Sequence, residues 1–418
     1  MITSTSSWCA SPRGRCDVNG DAVILGAGQG GLTAAVTLRE RGWVGAIHLV
    51  GEENRAPYQR PPLSKGYLSG VESEHDLLLR SLESLERDQI ATHLGVAASA
   101  LDTVRQRVVL SNGTELAYNA LIFATGSAPR RLSLAGSELS GIHSVRTVQD
   151  SDTLRKDLER GGDTVFIGGG FLNLEIAAEA SKHGRVTILE VAPQILGRVL
   201  SRESAEALAD FHSGLGIEIR CGVEIAGITG DRGRVSAVEL QDGTAIPASR
   251  VVVSIGAEPR DELAREAGIM TAGGIEVDMH LRSSDPRIFA IGDCARYPSP
   301  FAECEMRVES VQNATDQARY VAGLLTGGPE SGYRAVPWFW STQGERRLQI
   351  AGIAMPGDAA RVVERGDGGK LVVERVRDGR VSAVETINAP GAHMRARRAL
   401  AAFPDQAASS PPREHVQS

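Results

Sequence analysis

The most constraining feature of this sequence is a repeated pattern of strand, glycine-rich turn, helix and second strand. It occurs at residues 21–52 and again at residues 164–190. In a unit of this kind the strands lie parallel, and the helix that follows the turn points its N-terminus at phosphate groups. Two such units predict two nucleotide-binding domains, each with a parallel sheet covered by helices on both faces.

The first unit carries a complete dinucleotide-binding fingerprint. The apolar run AVIL leads into GAGQGG, which matches G-x-G-x-x-G at Gly26, Gly28 and Gly31. The first glycine permits a sharp turn, the second lets the backbone approach a pyrophosphate, and the third lets helix and strand pack closely. Glu52 ends the second strand, where a carboxylate can accept hydrogen bonds from a ribose diol. This context favours a bound dinucleotide over a simple turn.

The second unit departs from the fingerprint at one position. Its turn reads GGGFLN from Gly168 to Asn173, so asparagine replaces the third glycine. We expect the packing of helix against strand to open slightly to admit this side chain, and a purely structural turn remains an alternative. Glu190 closes the next strand at the position of a ribose-binding acid, and its charge would repel a 2′-phosphate. The unit therefore predicts a preference for NADH over NADPH.

Composition disfavours several other functions. The chain has 418 residues, enough for two or three domains, and its formal net charge of −7 disfavours nucleic acid as the main ligand. No run approaches the roughly 20 apolar residues that a membrane helix needs. The five cysteines are scattered without a C-x-x-C pair or a metal-binding spacing. We expect a cytoplasmic protein with no metal site, no nucleic-acid partner and no membrane span.

Further motifs, in order along the chain, point to one family. They are PYQRPPLSK at 57–65, ATGS at 124–127, IGDCA at 291–295, RVESVQNA at 307–314 and PWFWS at 337–341. With the two glycine turns, they resemble the FAD-dependent ferredoxin reductases of bacterial oxygenase systems. The resemblance implies a flavoprotein that takes a hydride from NADH. With one cofactor in each nucleotide domain, the nicotinamide can lie against the flavin, as hydride transfer requires.

The resemblance and the order of the patterns together predict the domain organisation. After residue 333, runs such as WFWSTQ, KLVVERV and VSAVETI indicate an antiparallel sheet. The expected fold class is α/β, with two Rossmann-like domains of the glutathione-reductase type and a C-terminal α+β domain. The expected boundaries are an FAD-binding domain at 21–132 and 265–332, an NAD-binding domain at 133–264 and a C-terminal domain at 333–405. Residues 1–20 and 406–418 are expected to be disordered.

The resemblance also implies the residues of each site. The candidate catalytic residues are Lys65, Glu175, Trp338 and Trp340. The candidate NAD-binding residues are Gly168, Gly170, Phe171, Leu172, Glu175, Glu190 and Gly256. The candidate FAD-binding residues are Gly26, Gly28, Gly30, Gly31, Glu52, Arg60, Lys65, Ala98, Ala124, Thr125, Gly126, Arg146, Asp293, Val311 and Trp340. Asp293 would accept ribityl hydroxyls, and a helix starting near Ser310 would point its positive end at the flavin.

Alternatives remain open for the four catalytic candidates. Lys65 and Glu175, which the resemblance pairs beside the flavin, could form an ordinary solvated ion pair worth under about 1 kcal/mol. Trp338 and Trp340 alternate along a strand, so they share one side. They could pack into the core, face the electron acceptor, or do both.

The prediction of the electron acceptor is based on the absence of cysteine from one segment of the sequence. Disulfide reductases of the same architecture carry redox cysteines on a helix that corresponds to residues 59–68, and this segment contains none. Electrons would then leave the flavin one at a time, and a two-iron, two-sulfur ferredoxin that docks transiently by electrostatic attraction is the fitting acceptor. The alternatives are a reductase of a small radical acceptor, similar to monodehydroascorbate reductase, and a redox-sensing interaction flavoprotein. The protein is expected to be a monomer or a homodimer.

A few residues stand apart from the family pattern or lie near its motifs. Arg260 replaces an asparagine after the GAEP turn, and Asn173 replaces a glycine. Cys294 and Cys304 lie close to the flavin motifs and are expected to be small packed side chains. Three arginines near the C-terminal end are expected to line a solvated face or to attract an acidic ferredoxin; they are Arg395, Arg397 and Arg398.

Overall fold

The structure is a computed structural model that describes residues 20–402. Its first region contains a parallel sheet, three helices and a small antiparallel sheet, with a 3-10 turn at Pro61–Ser64. The elements are β1 (Ala22–Leu25), α1 (Gln29–Glu40), β2 (Ile47–Gly51), α2 (Glu74–Leu77), α3 (Leu82–Arg87), β3 (Ile90–Leu94), β4 (Ala98–Asp102), β5 (Arg107–Leu110), β6 (Glu115–Ala117), β7 (Ala120–Phe123) and β8 (Ser127–Pro129).

The second region repeats this plan with a second parallel sheet and a second small antiparallel sheet. Its elements are β9 (Ile142–His143), α4 (Val148–Leu158), β10 (Thr164–Ile167), α5 (Phe171–Ala180), β11 (Val186–Glu190), α6 (Arg202–Gly214), β12 (Glu218–Cys221), β13 (Ile225–Asp231), β14 (Arg234–Leu240), β15 (Ala245–Pro247), β16 (Arg250–Val253), β17 (Ala257–Pro259) and α7 (Glu262–Glu266).

The remaining elements return to the first sheet and then build a third one. They are β18 (Ile275–Glu276), β19 (Ile288–Ala290), β20 (Ala295–Ser299), β21 (Cys304–Met306), α8 (Val311–Leu325), β22 (Trp338–Gln343), β23 (Arg346–Gly352), β24 (Ala359–Gly366), β25 (Lys370–Arg377), β26 (Arg380–Ile387) and α9 (Pro390–Ala401). Two further 3-10 turns lie at Gly292–Cys294 and Asp367–Gly369.

The two large parallel sheets each have five strands. Their strand orders are β19-β7-β1-β2-β3 and β12-β11-β10-β16-β9. Every residue of β1 and β10 is buried, as expected for central parallel strands that are covered on both faces. The carboxyl end of each of these two strands opens directly into a glycine turn, so both candidate nucleotide sites lie at the carboxyl edges of the sheets.

The chain passes between the two sheets through a pair of short strands. β8 leads out of the first sheet, and β17 leads back from the second. The two strands pair antiparallel, with Ser127 opposite Pro259 and Pro129 opposite Ala257. The exit and the return therefore lie side by side.

The third sheet is antiparallel, with the order β22-β23-β26-β25-β24, and α9 packs against β23 and β26. One set of its apolar side chains forms a cluster with α9 that includes Val372, Val384 and Leu400, and another set packs against the other two regions. Leu348, Val373 and Ile387 share one buried cluster with Leu63 of the first region and Ile188 of the second. The third sheet is thus packed against the segment that contains Lys65 and against the second nucleotide unit.

The predicted fold class is confirmed by the two parallel sheets and the C-terminal antiparallel sheet. One local expectation was wrong, because residues 59–68 contain only the 3-10 turn and not an α-helix. Pro61 and Pro62 are the first two residues of this turn, and each proline disfavours the α-helical conformation of the residue before it. The predicted disordered ends lie outside the described residues, apart from Gly20. Between residues 20 and 402, no helix has the length and apolar character needed to cross a bilayer.

Candidate active site

The first glycine turn is shaped by close backbone contacts. Gly26 has a φ of +116°, and a Cβ there would lie 2.1 Å from the Ala124 carbonyl oxygen. A Cβ on Gly31 would lie 1.8 Å from the Gly26 carbonyl oxygen, whereas a Cβ on Gly28 would meet nothing within 4 Å. No side chain caps the N-terminus of α1, and its first turn contains no acid. The open surface above Gly28 and the uncapped amides fit the pyrophosphate of a dinucleotide.

The second turn closes by a different contact. Gly168 has a φ of +99°, and a Cβ there would lie 2.3 Å from the Ser254 carbonyl oxygen. Asn173 is fully buried, and its Nδ2 donates to the carbonyl oxygens of Ile167 and Gly168, both at 2.8 Å. The asparagine is therefore accommodated by bonding α5 to the end of β10. No side chain caps α5, so its first amides remain available to an anion.

Glu190 is oriented by backbone amides at the end of β11. Its Oε2 accepts from Gly169 N at 2.6 Å, and its Oε1 accepts from Ala192 N at 2.8 Å. Cys221 is its neighbour on β12, and burial together with the Glu190 charge raises the pKa of that thiol. The predicted ribose acid is therefore fixed beside the glycine turn, with its orientation set before any ligand binds.

A cleft of about 1130 Å³ connects the second turn with the C-terminal sheet. This volume suits a large cofactor. The cleft brings together most NAD candidates with one FAD candidate and one aromatic candidate, namely Gly168, Gly170, Phe171, Leu172, Glu190, Gly256, Arg146 and Trp338. Glu309 also lines it, and burial raises the pKa of this carboxyl although Arg307 lies 2.9 Å away.

Lys65 and Glu175 meet as the resemblance implied. Lys65 Nζ lies 2.6 Å from Glu175 Oε2, and the side chains are 23% and 6% exposed. The same oxygen accepts from Ser64 Oγ at 2.5 Å, and Oε1 accepts from Ser341 Oγ at 2.6 Å. The Glu175 carboxylate is therefore buried and bound by two hydroxyl groups, while Lys65 is only partly exposed, so the pair differs from an ordinary solvated ion pair.

The Asp293 carboxylate lies within a network that crosses between regions. Its Oδ2 accepts from Ser127 Oγ at 3.0 Å and lies 3.6 Å from Arg146 Nη2. Burial lowers the pKa of Arg146, and the charge of Asp293 opposes that shift. Arg60 donates to the Arg146 carbonyl oxygen and pairs with Glu53 at 2.7 Å. Three FAD candidates, Arg60, Arg146 and Asp293, are thus brought together.

The remaining FAD candidates lie around the first turn. Glu52 is ion-paired with Arg260. The Arg260 backbone is held by two hydrogen bonds: its amide donates to the Gly126 carbonyl oxygen at 3.0 Å, and its carbonyl oxygen accepts from Thr125 Oγ1 at 2.6 Å. Ala98 begins β4 and packs half-buried against the first core. Two further FAD candidates, Gly30 and Val311, lie at α8. A Cβ added to Gly30 would lie 3.5 Å from the Ala314 carbonyl oxygen in α8, and Val311 is the first residue of that helix. The N-cap of α8 is Ser310, as the sequence indicated.

The two tryptophans share one face of β22. Their ring centroids lie 5.5 Å apart, both side chains are half-buried, and Trp338 contacts the His393 ring at 5.6 Å. The Arg397 guanidinium lies 4.4 Å from the centre of the Trp338 indole. Neither tryptophan is in the buried core, so full core packing is excluded. Arg395 and Arg398 are exposed on α9.

The sequence did not predict several polar contacts at the site, including the partner of Arg260, a residue already noted as a departure from the family pattern. Ser64 and Ser341 bind Glu175, Arg260 binds Glu52, and Glu309 lines the cleft. Strand alternation in WFWSTQ places Ser341 opposite the tryptophans, and that signal could have identified it. Cys294 is buried as expected, whereas the expectation of a packed Cys304 was wrong because this residue is exposed on β21.

The sequence matches two protein families. Residues 20–318 match pyridine nucleotide-disulphide oxidoreductases, and residues 338–411 match the reductase C-terminal domain. Rhodocoxin reductase of Rhodococcus erythropolis is 40% identical over 393 residues, which cover 93% of this chain and 92% of the relative. Putidaredoxin reductase of Pseudomonas putida is 37% identical over 382 residues, which cover 90% of each chain.

Solved structures give the same assignment. A chain of the covalent putidaredoxin reductase–putidaredoxin complex superposes with a TM-score of 0.88 at 36% identity, covering 92% of this chain and 94% of that one. The ferredoxin reductase for the CYP199A2 system from Rhodopseudomonas palustris also gives 0.88, at 38% identity, covering 93% of this chain and 97% of that one. The chain therefore belongs to the pyridine nucleotide-disulphide oxidoreductase family, in the group of flavin-dependent ferredoxin reductases.

Proposed function

We propose that this chain is an FAD-dependent NADH:ferredoxin reductase that delivers single electrons to a two-iron, two-sulfur ferredoxin of an oxygenase system. The observation that carries the proposal is the ion pair between Lys65 and the buried carboxylate of Glu175. It joins the segment that contains Lys65 to α5, the helix after the second glycine turn, and the two bound cofactors would meet near this pair. The names of the relatives, which include ferredoxin, rhodocoxin and terpredoxin reductases, support a ferredoxin as the partner class.

The first unit would hold FAD, because its turn leaves room above Gly28 and presents uncapped amides. Glu52 would accept the adenosine ribose hydroxyls, and Asp293 would accept those of the ribityl chain. When bound, FAD supplies a hydride acceptor that can release electrons singly. Arg60 and Arg146 would add positive charge beside it, and Val311 would present the N-terminus of α8, whose partial positive charge favours an anionic ligand.

The second unit would bind NADH in the cleft. Glu190, held by Gly169 N and Ala192 N, would accept the ribose hydroxyls and disfavour a 2′-phosphate through charge repulsion. Gly168, Gly170, Phe171 and Leu172 would direct the α5 amides at the pyrophosphate. Lys65, held by its ion pair with Glu175, would provide a fixed positive charge where the two sites meet.

The C-terminal sheet would provide the surface for the ferredoxin. Trp338 and Trp340 are half-buried on β22, and Arg395 and Arg398 are exposed on the nearby α9. An acidic ferredoxin would be attracted to these arginines. We further propose a cytoplasmic monomer or homodimer without nucleic-acid or membrane partners, with the domain division 21–132 and 265–332, 133–264, and 333–405.

The proposed activity is tested by mixing the FAD-loaded protein with NADH and putidaredoxin. We expect NADH to bleach the flavin absorbance and the iron–sulfur absorbance of the ferredoxin to fall in turn. NADPH should give a lower rate at equal concentration. A flavin that bleaches while a panel of two-iron, two-sulfur ferredoxins stays oxidised would contradict the proposal and favour a small radical acceptor.

The docking surface is tested by reversing the charges of Arg395 and Arg398 to glutamate. Ferredoxin reduction should slow, with an effect that diminishes at higher ionic strength because salt screens exposed charges. NADH oxidation with a small dye should not change. Arg232→Glu is the matched control, since this arginine lies in the turn between β13 and β14 and is 92% exposed. Equal loss in both assays would refute the docking surface.

A further inference from the structure

Glu175 is bound by a buried hydrogen-bond chain that begins far from both glycine turns. Ser341 Oγ in β22 donates to Glu175 Oε1 at 2.6 Å, and Gln343 Nε2 donates to the Ser341 hydroxyl oxygen at 3.2 Å. Gln343 Oε1 lies 2.9 Å from His212 Nε2 in α6. Ser341, Gln343 and His212 are completely buried. Hydrogen bonds in a chain that is shielded from water are stronger than exposed ones, and the loss of one of them is costly.

The donors in this chain all point toward Glu175. Burial lowers the pKa of His212, so the ring is neutral and carries one proton. Its Nδ1 has no partner, which places the proton on Nε2 and makes the Gln343 carbonyl oxygen the acceptor. The Gln343 amide then donates to the Ser341 hydroxyl oxygen. Since a hydroxyl has a single hydrogen, that of Ser341 is committed to Glu175.

The two carboxylate oxygens of Glu175 therefore bind different partners. Oε1 is occupied by Ser341, while Oε2 is shared by Lys65 at 2.6 Å and Ser64 at 2.5 Å. Rotation of the carboxylate would break bonds on both sides. Neither Ser341 nor Glu175 lines the cleft, so any effect of Ser341 on the site would pass through its bond to Glu175 and the Glu175–Lys65 contact.

We propose that Ser341, supported by Gln343 and His212, is a positioning residue for hydride transfer that keeps Glu175 Oε2 on Lys65. This inference rests on the proposed NADH reaction and extends it, because it assigns part of the reductive step to the C-terminal sheet. Without the hydroxyl, the carboxylate can turn and the Lys65 ammonium loses its fixed place. Small displacements of positioned groups slow bound reactions more than they weaken binding.

The test measures flavin reduction by NADH in a stopped-flow instrument, using the FAD-loaded full chain. Ser341→Ala should lower the limiting rate about tenfold, with the NADH dissociation constant within about twofold of wild type. Ser341→Thr keeps the hydroxyl and should restore most of the rate. Thr342→Val is the matched control, because it removes a hydroxyl from the neighbouring residue on the other face of the strand.

Two outcomes would overturn the positioning role. One is a Ser341→Ala rate equal to that of Thr342→Val, and the other is a Ser341→Thr rate as low as that of Ser341→Ala. A wild-type protein whose flavin is not bleached by NADH would instead overturn the proposed function, so the two failures are distinguishable.

A second variant covers the case in which Ser341→Ala does not retain flavin. Gln343→Met removes the amide that donates to Ser341 and keeps the hydroxyl itself. We expect its limiting rate to fall about threefold at unchanged NADH affinity, because an isolated hydroxyl is a weaker donor than one within a chain. A wild-type rate in a fully flavin-loaded Gln343→Met protein would overturn the proposal.

Discussion

The two glycine turns follow one plan but bring helix and strand together by different means. In the first, Gly31 has no side chain, and an added Cβ would lie 1.8 Å from the Gly26 carbonyl oxygen. In the second, Asn173 fills the equivalent position and binds the carbonyl oxygens of Ile167 and Gly168. Close packing in one unit is replaced by hydrogen bonding in the other.

The acids that follow the turns differ in the same way. Glu190 is oriented by two backbone amides of its own region, whereas Glu52 is 60% exposed and is paired with Arg260 from the second region. Glu190 is therefore preorganised, whereas Glu52 must share or release Arg260 when a ribose binds. Two units with similar glycine motifs can therefore bind their ligands with different free energies, and substitutions in each unit should have different effects.

The largest effect is expected for Gly31→Ala. The new Cβ would overlap the Gly26 carbonyl oxygen, so the first turn must deform and lose its fit to the pyrophosphate. We expect purified protein with little flavin, measured as the ratio of flavin to protein absorbance. Gly214→Ala, at the exposed end of α6 where a Cβ meets nothing within 4 Å, should keep full flavin. A Gly31→Ala protein that retains full flavin would show that FAD binding does not need the close contact between Gly31 and the Gly26 carbonyl oxygen.

Glu190→Gln should raise the KM for NADH about tenfold, because an amide accepts fewer hydrogen bonds and loses the charge-assisted ribose contacts. NADPH should be affected less, so the preference between the two coenzymes narrows. Steady-state kinetics with both coenzymes measure this change. Glu52→Gln should leave both KM values unchanged and weaken FAD retention instead. Equal effects of the two substitutions on NADH would show that the acids do not serve separate cofactors.

Asn173→Gly gives the second turn the glycine that the first turn has at Gly31. This substitution should lower the free energy of unfolding by about 1–2 kcal/mol. The loss combines the buried amide hydrogen bonds with the cost of glycine in a helix. Urea unfolding followed by circular dichroism measures it. Asn173→Ala separates the two terms, since it loses the bonds without the glycine cost. A more stable Asn173→Gly protein would mean that the asparagine serves coenzyme binding at the expense of stability.

The smallest effect is expected for Arg260→Ala. Because both partners of the Arg260–Glu52 pair are largely exposed, their interaction is worth less than about 1 kcal/mol. The rate of FAD release, followed by flavin fluorescence on dilution, should change by less than about fivefold. A far larger change would indicate that Arg260 contacts the bound cofactor directly.

Local patterns predicted the parts of the molecule that local interactions determine. The glycine turns, the strands before them and the acids after them lie within short stretches, and Gly26 and Gly168 have the left-handed φ values that their turns require. The Lys65–Glu175 contact is long-range, and only the family resemblance predicted it. Periodicity alone would have left both residues among ordinary surface charges.

The contacts that sequence reasoning missed depend on how separate regions dock. Arg260 reaches Glu52 across 208 residues of sequence, and Ser341 reaches Glu175 across 166. Neither pair has a spacing that could reveal it. The 3-10 turn at Pro61–Ser64 was also misjudged, because the family comparison placed a helix there while the two prolines favour a shorter turn.

The ladder between β8 and β17 has a consequence for how this architecture can arise. Because these strands pair directly, the chain enters and leaves the second nucleotide unit at adjacent points. A segment whose ends already touch can be inserted into a host fold with little loop-closure entropy and no disturbance of the host sheet. This topology is therefore compatible with the second unit having been inserted as one block into a nucleotide-binding fold.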